Sequence, residues 1–295
     1  MKKPPKIKTF GFLNVDKPSG IVSSAVVNKI KWLTGAPSGH LGTLDPLASG
    51  VLPVGVGNAT RLFDYFLNKK KEYIAEFTFG VSSDTLDSTG TLVYGGEIPS
   101  AQEIERVLPE FIGENLQIPP KYSAKSVGGK RGYELARAGV EFELAPKKVQ
   151  IYETQLLGKS ENTKNAYKIK IVCGGGTYIR SIGRDLAEKL GTNAVMSYLR
   201  RTQSGAFGIE NAVPFSFLES DPPIDELEKY IIPTESVLPF ERLELTCPRW
   251  EKIFNGVSLP CDCADGEYKF YNLDGSFYGV AEVKDGKAKL KTKLC

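Results

Sequence analysis

Alternation of side-chain character is sharpest over residues 71–80. Tyr73, Ala75, Phe77 and Phe79 fall on one face there, and Ile74, Glu76 and Thr78 on the other, the period expected of a strand. Tyr73 lies at its start. Earlier, Ala25, Val26, Ile30 and Leu33 recur at helical spacing, with Ser23 or Ser24 as cap and Gly35 as stop. Thr60 opens a shorter helix over Leu62, Phe63, Phe66 and Leu67, and residues 81–90 read as a polar loop. Ser100 and Glu103 form a capping box ahead of Ile104, Val107, Leu108 and Phe111. Strands over 149–157 and 166–173 lead into Gly174-Gly175-Gly176, and a helix over 177–190 then places Tyr178 and Arg180 in its first turn. The order of elements is an α+β alternation.

The pattern changes after about residue 235. Cys247-Pro248-Arg249-Trp250 with Ile253-Phe254-Asn255-Gly256 predicts a short helix ending at Gly256. Strands over 268–271, 276–283 and 288–290 follow, joined by turns at Leu273-Asp274-Gly275 and Lys284-Asp285-Gly286. The expected organisation is a large unit, 1–235, and a small β unit, 236–295, with Asp221-Pro222-Pro223 and Pro233 in the connecting region. Within the large unit, residues 119–133 are rich in glycine, proline and positive charge and read as a mobile basic flap, part of a loop spanning about 119–148.

Composition narrows the chemistry. The 295 residues are 41% hydrophobic and 25% charged, an ordinary globular balance with no apolar run of membrane-spanning length. The basic start Lys2-Lys3-Pro4-Pro5-Lys6 is not followed by a signal-peptide core, so a cytoplasmic protein is expected. Five cysteines show no paired metal-ligand spacing, and an odd count argues against a disulfide scaffold. A single histidine excludes a histidine-rich metal centre and leaves a serine or cysteine triad only His40 as base. Carboxylate, tyrosine, lysine and arginine must therefore carry the chemistry. Gly174-Gly175-Gly176 lacks the spacing of a dinucleotide turn; it reads as room for close backbone approach or as a tight turn.

A net charge of +3 is too small for bulk electrostatics to indicate a partner. Local clusters indicate more: Lys69-Lys70-Lys71, Lys121 with Lys125, Lys130-Arg131, Lys147-Lys148, Arg200-Arg201, and the lysines at 284, 287, 289, 291 and 293. Several stand beside Tyr73, Tyr122 or Tyr133. Phosphate contact combined with base stacking needs this mixture, although any one cluster alone also reads as a solvated face.

In Gly39-His40-Leu41-Gly42-Thr43-Leu44-Asp45-Pro46-Leu47-Ala48-Ser49-Gly50 one carboxylate stands in a glycine-bracketed loop, five residues after the only histidine. The glycines permit backbone conformations closed to other residues, and Pro46 biases Asp45 toward an extended conformation. An Asp-Pro turn is one reading, a rigidly held catalytic carboxylate the other. The run resembles the signature of the TruB family of tRNA pseudouridine synthases. The resemblance extends through Gly11-Phe12-Leu13-Asn14-Val15-Asp16-Lys17-Pro18-Ser19-Gly20, Lys71-Glu72-Tyr73, Pro120-Lys121-Tyr122-Ser123-Ala124, Gly175-Gly176-Thr177-Tyr178-Ile179-Arg180 and Tyr198-Leu199-Arg200-Arg201, in the family's order over roughly residues 10 to 210.

The resemblance implies a pseudouridine synthase catalytic domain with a central mixed, largely antiparallel sheet flanked by helices, plus a small C-terminal β-rich PUA-like domain that grips tRNA. It implies a monomer that isomerises uridine 55 in the T-loop of tRNA to pseudouridine, without metal or organic cofactor. It makes Asp45 the catalytic residue, paired with Arg180, and has Tyr73 stack on the flipped base and remove its C5 proton. Tyr178 and Leu199 become pocket walls, His40 wedges into the RNA, and Lys17 is a phosphate or backbone contact near the cleft. The basic loop, with the helix Tyr133-Glu134-Leu135-Ala136-Arg137, closes over the stem-loop. Ser126 stands where relatives often have lysine, and Pro37-Ser38 replaces a commonly basic approach, both changes that weaken phosphate contacts. A carboxylate suits the reaction because it attacks or stabilises a ribose centre of oxocarbenium character; addition to C1′ and a glycal route both remain open. The other readings are a non-catalytic tRNA-folding chaperone, a guide-RNA-dependent pseudouridine synthase of a ribonucleoprotein, and a glycosidase, which needs a second carboxylate such as Asp64 or Asp84 near the first.

Overall fold

The computed structural model describes residues 7 and 9–294, apart from 68, 124, 128, 244–249 and 273. Its framework is a mixed, largely antiparallel sheet. The main strands are β1 (Gly11–Lys17), β2 (Ser49–Val56), β3 (Lys71–Phe79), β4 (Gly113–Gln117), β5 (Lys147–Lys159), β6 (Ala166–Cys173) and β7 (Ala194–Ser204). The path across the sheet is Val213–Pro214, β1, β2, β7, β3, β6, β5, β4. β1 with Val213–Pro214 and β2 with β7 pair parallel; β1 with β2, β3 with β7 and with β6, and β5 with β6 and with β4 pair antiparallel. β3 holds a central place because its odd positions from 73 onward are apolar: Tyr73, Ala75, Phe77 and Phe79 are buried as the alternation predicts. Removing Phe77 or Phe79 from water is worth about 1.5–3 kcal/mol each.

The helices α1 (Ser23–Thr34), α2 (Ala101–Val107) and α3 (Ile179–Lys189) lay Val26 and Ile30, Ile104 and Val107, and Ile182 and Leu186 into the same core as β3. Gly35 ends α1 with φ 62°, and Ser100 with Glu103 makes the capping box of α2, both as predicted. Ser23 does not cap α1; Val22 holds that position and the Ser23 hydroxyl is engaged elsewhere. The helix expected from Thr60 starts earlier, as a 3-10 turn over Gly57–Leu62, before Asp64–Leu67. Residues 81–90 are not all loop, since Val81–Ser83 pairs with Leu92–Tyr94. α3 begins at Ile179, which leaves Tyr178 just outside the helix and Arg180 in its first turn.

A second sheet carries the C-terminal region, in the order Glu241–Arg242, β8 (Gly266–Tyr271), β9 (Phe277–Lys284), β10 (Lys287–Lys293), Leu259–Pro260. Asp285 and Gly286 join β9 to β10 with φ 51° and 69°, the left-handed pair that suits the twist of a two-residue hairpin. Leu243, Ile253, Phe270 and Val283 form its own core. Trp250–Asn255 is a 3-10 helix followed by Gly256 at φ 77°; Cys247, Pro248 and Arg249 of the predicted helix, and Leu273 of the predicted turn, lie outside the described residues. A further cluster joins Phe12, Leu62, Phe66 and Phe207 to Leu238, Val280 and Leu294, so the small sheet packs on the segment that leads into β3. Among the described residues no helix is long and apolar enough to cross a membrane.

Candidate active site

The Asp45 loop is held from one side by the segment between β1 and α1. The Ser23 hydroxyl donates to the Leu44 carbonyl (2.8 Å) and accepts from the Leu44 N–H (2.9 Å). Gly20 N–H donates to Pro46 O (2.7 Å), and Ser19 Oγ donates to Leu47 O (2.7 Å). The Leu44 side chain is buried in the main core, and Ala48 N–H closes a turn onto Asp45 O (3.0 Å). With its neighbours on both sides tied, the Asp45 carboxylate has a defined direction, and its side chain keeps 34% of its exposure.

That direction leads to Arg180. Its Nε lies 2.9 Å from Asp45 Oδ2 and its Nη2 3.1 Å from Oδ1, a bidentate pair. The remaining donors of the buried guanidinium reach Thr85 O (3.0 Å) and Tyr122 O (3.1 Å), and Asp87 Oδ2 lies 3.5 Å away. Asp87 is itself buried, with Oδ1 accepting from Thr85 Oγ1, Thr89 N–H and Thr89 Oγ1. One arginine thus fastens the catalytic candidate to the 81–91 loop and to the basic flap. Full pairing is what makes a buried guanidinium tolerable.

Asp45 and Arg180 open on a cavity of about 800 Å³, also lined by His40, Tyr73, Tyr178 and Leu199. Tyr122, Tyr133 and Arg137 of the flap form part of its wall. Tyr178 is fixed through its backbone, its N–H donating to Gln117 Oε1 (2.8 Å) and its carbonyl accepting from Gln117 Nε2 (3.1 Å). His40 lies on a short strand, Ser38–His40, beside β2. Burial lowers its pKa below the usual imidazole range, and its buried Nδ1 has no hydrogen-bond partner among the described residues. Burial likewise raises the Tyr73 phenol, against the opposing pull of Arg201.

Lys17 is the one predicted residue that does not line this cavity. It is fully buried, and its ammonium donates to Pro18 O (2.8 Å), Ile21 O (2.8 Å) and, at 3.5 Å, Pro46 O. Burial brings its pKa down to about 8, with the Asp45 charge opposing. In this structure Lys17 braces the backbone around the Asp45 loop.

Three charged residues belong to the site and were not singled out from the sequence. Asp87 lay in what read as a polar loop; the carboxylates weighed instead, Asp64 and Asp84, stand elsewhere, Asp64 opening a short helix and Asp84 accepting from Thr91 N–H and the Tyr122 hydroxyl. Lys71 and Arg201 read as members of basic surface clusters, yet both are buried and both line the cavity. A signal was available. Lys71 is two residues before Tyr73 and Arg201 two after Leu199, so strand alternation puts each on the same face as its inward-pointing neighbour.

With this geometry in view, comparison with known proteins is direct. The profile described as TruB family pseudouridylate synthase (N terminal domain) matches residues 31–179, and that described as tRNA pseudouridylate synthase B C-terminal domain matches residues 180–239. A protein of Acaryochloris marina named tRNA pseudouridine synthase B is 38% identical over 289 residues, 96% of this chain and 98% of its own length. One of the same name from Aquifex aeolicus is 38% identical over 293 residues, 96% and 99% of the two chains. Among solved structures, a chain in a crystal structure titled as a Cbf5-Nop10-Gar1 complex superposes with a TM-score of 0.69 at 25% identity, covering 97% of this chain and 85% of that one. The chain belongs to the TruB family of pseudouridylate synthases.

Proposed function

We infer that this chain isomerises uridine to pseudouridine in tRNA, and we propose uridine 55 of the T stem-loop as its target. The observation that carries the reading is the Asp45 carboxylate, tied on both sides by its loop, gripped bidentately by buried Arg180 and opening on the cavity. The target base is stacked in RNA, and extruding it costs a few kcal/mol. Tyr73, Tyr178 and Leu199 offer the apolar and aromatic walls that offset this. His40, uncharged through burial, is proposed to fill the place the base leaves. Arg180 pairs with the Asp45 carboxylate and aims it, which both routes require: attack on C1′, or removal of a ribose proton toward a glycal. After the base rotates and C1′ joins C5, Tyr73 takes the C5 proton. No atom is gained or lost.

In this proposal residues 1–235 form the catalytic unit, the loop of about 119–148 closes over the stem-loop, and the 236–295 unit acts as a PUA-like grip on the outer tRNA. Lys287, Lys289, Lys291 and Lys293 along β10 supply it with phosphate contacts. Lys17 serves the substrate indirectly, through the loop it braces. The enzyme is proposed to act as a cytoplasmic monomer.

The test is tritium release from tRNA labelled at uridine C5. Wild type is expected to release tritium and to yield pseudouridine at position 55, and Asp45→Asn to release none. Tight tRNA binding by the wild type without release would overturn the enzymatic reading in favour of a binding or folding role.

A further inference from the structure

Tyr73 and Arg201 are direct cross-strand partners between β3 and β7, so their side chains stand beside one another on the same face of the sheet. Lys71 shares that face two residues earlier on β3. All three are buried and line the cavity. Arg201 donates from Nε to Val51 O (2.6 Å) and from Nη2 to Gly42 O (3.0 Å), and its charge favours ionisation of the neighbouring Tyr73 phenol. Lys71 donates to Leu67 O (3.1 Å). Among the described residues neither cation has a carboxylate within ion-pair distance; Asp45, the nearby anion, is engaged by Arg180. Two buried positive charges paired only with carbonyls are costly. They are consistent with a site where a negative charge forms during turnover, and the Tyr73 side chain, cross-strand from Arg201 and lining the same cavity, is the neighbour that can carry it.

We propose that Arg201, backed by Lys71, is the positioning residue that holds Tyr73 as the base for the C5 proton. The proposal rests on the reading of Tyr73 as that base. Burial is the main influence opposing ionisation of the phenol, with Cys173 and Asp45 adding to it, and Arg201 is the largest influence in the other direction. In the step itself the neutral phenol first gives its proton to water, so that negative charge forms beside Arg201, and the tyrosinate oxygen then takes the proton from C5. The C5–H electron pair restores the C5=C6 bond, the displaced pair moves to N1, and N1 takes back the proton that water received. Tyr73 ends neutral, as it began, and the balance closes.

The test is the single-turnover rate on tRNA carrying protium or deuterium at uridine C5, for wild type, Arg201→Gln, Arg201→Lys, Lys71→Met and Tyr73→Phe, with folding checked by thermal melting. Arg201→Gln is expected to slow turnover about a hundredfold, the usual effect of removing one fixed donor from a developing charge. Its deuterium isotope effect should rise above that of wild type, because C5–H cleavage becomes the slow step. Lys71→Met should raise the isotope effect too, and Arg201→Lys should bring it back toward the wild-type value. If Arg201 only braces Gly42 and Val51, the variants slow glycosidic cleavage instead and the isotope effect stays at or below wild type, which overturns the proposal. Lys71→Met decides the matter should Arg201→Gln fail to fold. A Tyr73→Phe variant that still turns over at the wild-type rate removes the base itself, whatever Arg201 does; a slow Tyr73→Phe with unchanged isotope effects at Arg201 and Lys71 removes this proposal alone.

Discussion

Ser23→Ala deletes the hydroxyl of a residue only 3% exposed, which both donates to and accepts from Leu44 immediately before the catalytic aspartate. The alanine leaves the Leu44 N–H and C=O without these partners, at about 1–3 kcal/mol for each unsatisfied buried group. The Gly20 to Pro46 and Ser19 to Leu47 bonds survive, so the loop should shift rather than unravel. The expected net loss is about 2–4 kcal/mol, or roughly 5–10 °C in melting temperature. A displacement of about 1 Å at a reacting group costs on the order of a hundredfold in rate, and both lost contacts are buried hydrogen bonds inside the protein. Thermal melting, tRNA binding by filter retention and single-turnover tritium release read the three consequences separately. The expected pattern is a lower melting temperature, unchanged tRNA affinity and a rate down about tenfold to a hundredfold. A Ser23→Ala protein that melts lower yet turns over at the wild-type rate would refute the argument that this hydroxyl sets the position of Asp45.

Three further outcomes are expected. Asp87→Asn keeps the shape beside Arg180 but removes a buried charge 3.5 Å from it; turnover should fall roughly tenfold, about 1.4 kcal/mol, with tRNA affinity preserved in the same binding assay. Because burial lowers the pKa of His40 in the folded protein from its ordinary 6.5, the unfolded state binds its proton more readily. Stability therefore rises with pH through that window and is lost as pH falls below about 6.5; urea titrations at about pH 5.5 and 7.5 should show a smaller acid loss in His40→Gln than in wild type. Gly50→Ala places a Cβ 2.2 Å from the Arg201 carbonyl at a residue with φ +100°, and circular dichroism should find it largely unfolded, a loss above about 4 kcal/mol.

Much of the framework was legible because local signals and burial agree there. The capping box at Ser100, the Gly35 stop and the alternation through Tyr73, Ala75, Phe77 and Phe79 are short-range features that the tertiary structure left in place. The α+β class and the mixed, largely antiparallel sheet follow the resemblance in the sequence. Where prediction failed, a long-range partner had claimed the residue. Ser23 looked like a helix cap, but a loop 21 residues away took its hydroxyl. The 81–90 segment looked like plain loop because the strand that pairs with it, Leu92–Tyr94, is short and exposed.

The active-site charges show the same limit more sharply. Hydrophobic periodicity sorts residues into inside and outside by apolarity, so it sends every lysine, arginine and aspartate to the surface unless a motif says otherwise. Lys17, Lys71, Asp87 and Arg201 are nevertheless buried around the Asp45 loop and cavity. Their burial weakens the fold, since each needs partners that apolar residues would not. The return is electrostatic. A fixed charge or donor acts on a reacting group far more strongly where water is excluded than at a wet surface, and Arg180 can orient Asp45 only because its other donors are already committed to Thr85 and Tyr122. In this chain the positions where charge contradicts the burial pattern are therefore the ones to examine for chemistry, and Arg201, a charged residue at a core position beside Tyr73, is the clearest of them.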